Sequence, residues 1–304
     1  MRRSFIALLA VSLLGLAAPA ASAGDRHVLG WGRLFDNDAL GDMKDRWRTG
    51  SYAISIVTGP KWDGVLPSRP GELLEFRLRA EAIAPASLAT PKAGDRRYAG
   101  VFSAGVHTHF SMAGIETSAG LDLVAIGPMT GIGNFHKTAH EVFGLTVPTV
   151  LDNQIGNQVQ PTLTTEFARS YSFGNNVSLR PFAELSAGVE TFARVGGDFL
   201  FGPVGQSDLY ARDVVTGQRY RTIYNGGTGY SFSLGGDIAK VFSSTYLPEN
   251  EGYELTDARV RLRAGLTWQG EQSNVFYGLT WLGKEFEAQN GSQVVGSVHL
   301  GLRF

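Results

Sequence analysis

The chain has no cysteine. That excludes a disulfide framework, thiolate zinc and iron–sulfur sites, a cysteine nucleophile and a lipidated N-terminal cysteine. Charge is sparse, at 18% of 304 residues, against about 25% in soluble domains. The 27 Lys+Arg and 28 Asp+Glu nearly cancel and form no basic run, which excludes nucleic acid as a partner. Past the first residues no apolar run approaches the ~18 residues of a spanning helix, and mean hydropathy is −0.05. If the chain enters a membrane, it does so as a β-barrel. What is plentiful is glycine, at 39 residues, and aromatic side chains, at 11%.

The N-terminus reads as a secretory signal. Arg2 and Arg3 form a positive region, Phe5 to Leu16 is apolar, and Ala21-Ser22-Ala23 is a small-residue cleavage site. Residues 1–23 are therefore expected to be removed, leaving a mature chain from Gly24 with a charge of −3. No repeat, linker or low-complexity stretch divides residues 24–304, so they are read as one domain.

Most of that domain alternates with period two. Val294, Gly296, Val298, Leu300, Leu302 and Phe304 fall on one face of the last stretch, and Val295, Ser297, His299, Gly301 and Arg303 on the other. A chain that stops on an amphipathic strand with a terminal Phe resembles outer-membrane barrels. In 74–82, apolar residues alternate with Glu75, Arg77, Arg79 and Glu81. In 259–268, Val260, Leu262, Ala264, Leu266 and Trp268 alternate with Arg259, Arg261 and Arg263. Those arginines cannot face lipid, where each costs ~2–4 kcal/mol at mid-depth. They can line a lumen opposite acids from other strands. A soluble β-sandwich would also alternate, but it accounts neither for the signal nor for outward faces that are apolar from end to end. Strand segments fall near 27–34, 51–58, 72–84, 98–112, 115–126, 161–173, 177–192, 194–202, 218–224, 229–242, 256–269, 274–287 and 293–304. The expected fold is an all-β, transmembrane antiparallel barrel of about 12 strands.

Residues 127–160 break the alternation. The pattern predicts a short helix over 134–143, with Asn134 as N-cap, Gly144 as C-cap, and Ala139, Val142 and Phe143 as its apolar side. His136 and His140 are four apart and share a helix face. A zinc site from this pair lacks a third ligand at a supporting spacing. Two helix residues facing water is the plain alternative. The third reading makes His140 a general base at the barrel rim. His107 and His109, two apart on a strand, are read as lumen-lining. Asp36-Asn37-Asp38, Gly41, Asp42 and Asp45 could hold a hard cation through oxygen, or form a solvated acidic turn.

An ordered set of motifs resembles the LpxR-type lipid A 3-O-deacylase family from about residue 28 to the end. The pieces are Asn37-Asp38 with Asp45-Arg46 and Thr49-Gly50, then Thr90-Pro91 with Asp95-Arg96-Arg97-Tyr98-Ala99-Gly100. Ile126-Gly127-Pro128, Gly131, Ala139-His140 and Phe143-Gly144 follow, then Asp152-Asn153-Gln154-Ile155 with Asn157, and Lys284-Glu285-Phe286. Three positions depart from the family pattern. Its Gln four before the histidine is His136 here, its acid six after is Thr146, and its Thr two before Gly is Arg48. Thr49, one residue late, can substitute only if the strand bulges.

The resemblance implies a 12-stranded barrel in the outer membrane of a Gram-negative bacterium. It implies calcium-assisted hydrolysis of the 3-linked acyl ester of lipid A, with lipopolysaccharide as substrate and a monomeric barrel. It makes His140 the base, with Asn37, Asp38 and Thr49 around it. Asn37 and Asp38 would hold the calcium, and His136 and Arg48 would meet the substrate. The rival reading is a non-catalytic barrel: a small channel, or a lipopolysaccharide-binding or structural protein. A phospholipase with a Ser-His-Asn arrangement would need a serine at a nucleophile turn near His140, and none is present.

Overall fold

The computed structural model describes residues 26–302. The expected signal, Arg303 and Phe304 lie outside the described residues. The strands are β1 (His27–Asn37), β2 (Trp47–Gly59), β3 (Leu74–Ala84), β4 (Ala99–Met112), β5 (Ile115–Ile126), β6 (Gln158–Ala168), β7 (Tyr171–Ser172), β8 (Val177–Ala187) and β9 (Glu190–Phe201). They continue as β10 (Leu209–Arg212), β11 (Arg219–Ile223), β12 (Gly229–Ser244), β13 (Arg259–Gln269), β14 (Ser273–Leu282) and β15 (Gln293–Leu302). One α-helix, α1 (Ile132–Phe143), lies between β5 and β6.

Twelve of these strands form a closed antiparallel wall. The order runs from β6 back through β5 to β1, then through β15, β14, β13, β12 and β9 to β8, and β8 pairs with β6 to close it. The first and last strands join through Phe35↔Val298, Asp36↔Ser297 and Asn37↔Gly296. Closure leaves no free edge, so backbone groups are satisfied within the wall, as hydrocarbon requires.

The alternation expected from sequence is the alternation found. Phe76, Leu78, Leu121, Leu123, Leu262 and Leu266 are exposed on the outer face. Glu75, Arg79, Glu81, Arg259, Arg261 and Arg263 are buried on the inner one. The three arginines of β13 meet acids of other strands. Arg261 Nε donates to Asp237 Oδ1 at 2.9 Å, Arg263 Nε to Asp198 Oδ1 at 2.9 Å, and Arg259 Nη1 to Glu190 Oε1 at 2.8 Å. His107 and His109 face the lumen as expected, paired with Asp122 at 3.2 Å and Glu75 at 2.7 Å.

One strand-like segment is not in the wall. Residues 218–224 form β11, which with β10 makes a hairpin of its own. Antiparallel alternation places this hairpin's entry, between β9 and β12, at the end opposite α1. It stands inside the barrel against β1. A Cβ on Gly30 would lie 2.1 Å from Thr222 O, so only glycine lets the hairpin approach that wall. Arg212 Nη2 reaches Asp198 at 2.8 Å, and Gln218 Nε2 donates to Ala264 O at 3.1 Å and Leu279 O at 3.3 Å. The lumen that remains is a cavity of about 360 Å³ with both charged and apolar lining.

Asp237 serves Arg261 and Arg263 and lies 3.1 Å from Arg194. Asp237→Ala leaves these buried guanidiniums short of a counter-charge, at an expected cost of about 3–5 kcal/mol. In detergent the compact electrophoretic form should melt well below wild type. Lys240→Ala, which removes the exposed pair with Asp257, should leave the melt unchanged.

Candidate functional site

At the α1 end of the barrel, the segment from Asn37 to Trp47, the helix and the loop before β15 meet. β1 ends at Asn37, whose Oδ1 accepts from Ala39 N at 2.8 Å and caps a short 3₁₀ turn (Asp38–Leu40). Asp38 is buried at 1% exposure under that turn. Its Oδ2 accepts from Arg46 N at 2.7 Å and Gln293 Nε2 at 3.2 Å. The return to β2 is strained: Met43, Asp45 and Trp47 have φ of 60°, 29° and 51°. Left-handed backbone at non-glycine residues costs ~1–3 kcal/mol each and collects at functional sites.

β2 then carries a bulge. Its register against β3 shifts between Arg48 and Gly50, which turns Thr49 inward to 3% exposure. The condition attached to Thr49 in the sequence is therefore met. Its Oγ1 donates to Asp45 Oδ1 at 2.5 Å and lies 3.3 Å from Asp38 Oδ1.

The helix supplies the other half. It begins at Ile132, not Asn134, with left-handed Gly131 before it and no side-chain cap. Gly144 caps the C-terminus in the left-handed region, as expected. Gly133 and His140 are buried on the inner face. Phe135, Val142 and Phe143 are exposed to 73–75%. The apolar side thus faces out, and the histidines face in rather than toward water.

His140 Nδ1 lies 2.6 Å from Thr146 O, an acceptor only, so Nδ1 carries a proton, and in the neutral imidazole the lone pair is on Nε2. That Nε2 lies 3.0 Å from Asp45 Oδ2 and 2.9 Å from His136 Nε2. His136 Nε2 is 3.5 Å from Asp45 Oδ1, and its Nδ1 is 3.2 Å from Tyr98 Oη. Burial opposes the charge of Asp45, but hydrogen bonds from His136 and Thr49 outweigh it and hold the carboxyl below its ordinary range. Burial raises the Tyr98 phenol, which stays neutral.

The expected site residues divide here. His140, His136 and Thr49 converge, and Asp38 braces Thr49. Asn37 caps its turn and bonds to neither histidine. Arg48 does not face the site: its guanidinium turns into the lumen to Glu81 at 2.8 Å, Glu190 at 3.2 Å and Glu285 at 2.7 Å. Three carboxylates hold it there, which leaves no free face for substrate. Glu141 is exposed. The acidic cluster disperses, because Asp36 points into the lumen to Ser51 and Ser297 and Asp42 pairs with Arg46 at 2.9 Å. Sequence reasoning missed Asp45 and Tyr98 as partners of the histidines; both stand in the motifs that carry the resemblance.

The sequence matches the family described as "Outer membrane protein LpxR" over residues 5–304. The chain belongs to the LpxR family. Its fold superposes on LpxR from Salmonella typhimurium with a TM-score of 0.75 at 15% identity, covering 90% of this chain and 100% of that one. The beta domain of the Bordetella autotransporter BrkA aligns at a TM-score of 0.48 and 12% identity, over 90% and 99% of the two chains. No curated protein matches. LpxR membership and the closed barrel place this protein in the outer membrane.

The family resemblance brings calcium with it, and the donors here do not suit that ion. Calcium takes about six to eight oxygens. Asn37 Oδ1 and Asp38 Oδ2 are engaged by groups of the chain, and the set that converges includes two imidazole nitrogens.

Burial lifts the Asp38 carboxyl to about 7, chiefly by desolvation. The folded chain then binds more protons than the unfolded one between about pH 4 and pH 7, so stability falls as pH rises through that window. With chelator present, the thermal midpoint should drop from about pH 5 to about pH 8 in wild type and drop less in Asp38→Asn.

Proposed function

We propose that this outer-membrane protein hydrolyses the 3-linked acyl ester of lipid A, with water activated at His140. Membership of the LpxR family supports the reaction class. The single observation that carries the site is His140 Nε2: a lone pair fixed by Thr146 O, seven-eighths or more enclosed, at the rim of a lipid-facing barrel. Above it, Phe135, Val142, Phe143 and Leu145 present an apolar surface where acyl chains of the outer leaflet lie. The ester of such a lipid reaches the rim without leaving the membrane.

In the reaction, a water oxygen bonds to the ester carbonyl carbon while its proton passes to His140 Nε2. The tetrahedral intermediate then expels the sugar 3-oxygen, which takes the proton back. The products are the free hydroxy-fatty acid and lipid A with a 3-hydroxyl. Asp45 stabilises the transient imidazolium, and Thr49, braced by Asp38, positions Asp45. No step is assigned to calcium.

The rival pore reading fits the lumen poorly. The β10–β11 hairpin and the paired charges occupy it, so a conducting path would have to pass between the hairpin and the wall that holds it.

Mass spectrometry of lipid A from cells making wild type or His140→Ala is the test. Wild type should lose one hydroxyacyl mass. His140→Ala should lose at least about 100-fold in rate while the barrel stays compact on electrophoresis. Unchanged lipid A with a folded wild-type barrel, or conductance in a planar bilayer, would replace this reading with the non-catalytic one.

A further inference from the structure

His136, His140 and Asp45 offer one ligand atom each, all within 4.8 Å of one another. Where both Nε2 atoms carry lone pairs, the three groups repel unless a cation sits among them. A proton can bridge only one pair at a time. With Nδ1–H of His140 donating to Thr146 O, a neutral His140 directs a bare Nε2 at both a carboxylate and a second imidazole.

We infer that Asp45 with the Nε2 atoms of His136 and His140 forms a binding site for a divalent transition-metal ion of the zinc type. Two imidazoles and one carboxylate are the donors such ions take, and calcium does not favour nitrogen. Bonds of about 2.0–2.2 Å at tetrahedral angles separate ligand atoms by about 3.3–3.6 Å. Here the two Nε2 atoms are 2.9 Å apart, His140 Nε2 is 3.0 Å from Asp45 Oδ2, and His136 Nε2 is 3.5 Å from the other carboxylate oxygen, Oδ1. The His140–Asp45 edge opens by a few tenths of an ångström through Asp45, whose loop side chain is 35% exposed, and the His136–His140 edge opens through the two imidazole side chains.

Each ligand also has an outer partner. Thr146 O holds His140, Tyr98 Oη holds His136, and Thr49 Oγ1 holds Asp45. Such partners orient ligands and fix the imidazole tautomer that leaves Nε2 free. Three protein ligands leave a fourth position open, the arrangement in which an ion lowers the pKa of bound water to about 7. An ion held there would take up the His140 lone pair and would supply the activation of water in its place, so the reaction through His140 belongs to the ion-free site. The site rests on its donors and stands whether or not lipid A is the substrate.

The test uses the full mature barrel in detergent, without a polyhistidine tag, stripped by chelator. Cobalt(II) should bind with one equivalent per chain and give the intense visible bands of a four-coordinate ion. Zinc should displace it, and millimolar calcium should not. His136→Gln should weaken cobalt binding roughly 100-fold and Tyr98→Phe about 10-fold. His107→Gln, in the lumen, should leave it unchanged. The proposal is overturned if wild type takes up no cobalt, if binding is the same in folded His136→Gln, or if calcium displaces the ion. Tyr98→Phe decides the matter should His136→Gln fail to fold. Lipid A mass spectra play no part, so failure here and failure of the deacylase reading are separate results.

Discussion

Charge pairing inside the barrel is the constraint on which the rest of the structure depends. A strand in hydrocarbon must show lipid an apolar face, and alternation then forces the other face inward. Here that face carries guanidinium and carboxylate groups too buried to be left alone. An ion pair in such a place is no more stabilising than packed apolar groups, but losing one member is costly. The pairs therefore act as a set of fixed distances. Arg263 joins Asp198 and Asp237, and Arg212 of the hairpin joins Asp198 and Glu166. The same acids hold the wall and the plug.

That set also forms the floor of the candidate site. Glu285 pairs with Arg48, Arg96 and Arg259, and so ties β2, the loop before β4 and β13 together. Just above it, Gln293 Nε2 donates to Asp38 Oδ2 and lies 3.4 Å from Arg48 O. The strained turn of Met43, Asp45 and Trp47 stands on this floor. Strain persists only where its surroundings over-determine the backbone. Arg48 does so from below through three glutamates, and the Thr49 bulge places its hydroxyl beside Asp45. Arg48, expected at the substrate, instead holds the bulge that builds the site.

The wall was legible in the residues because lipid imposes one rule everywhere. Leu262 and Arg263 had to face opposite ways, and they do. The segment at 218–224 obeyed the same rule and still misled. A strand inside a polar lumen alternates too, and pattern cannot say which wall it touches. The helix was legible at Gly144, where a left-handed cap is needed, but its orientation was not. Val142 and Phe143 make an apolar side, and that side faces outward, where membrane takes the place of water. The Thr49 bulge was visible only as a condition, since register is set by long-range pairing. Asp45 lies about ninety residues from the two histidines in the chain, so no spacing could announce their meeting.

The His136 substitution shows how one residue can redirect a site without disturbing the fold. The family pattern has glutamine at this position, a donor set of amide oxygen and nitrogen. Imidazole there meets Tyr98 through Nδ1 and presents Nε2 to His140 and Asp45. The donor facing the centre is therefore a borderline nitrogen. Metal choice follows donor softness and geometry more than overall affinity. A chain that loses an expected acid at Thr146 uses that position's carbonyl instead, and this carbonyl fixes the tautomer of His140. The two departures from the family pattern meet at one point: Thr146 offers a carbonyl in place of a carboxylate, and His136 brings a second imidazole nitrogen to His140 and Asp45.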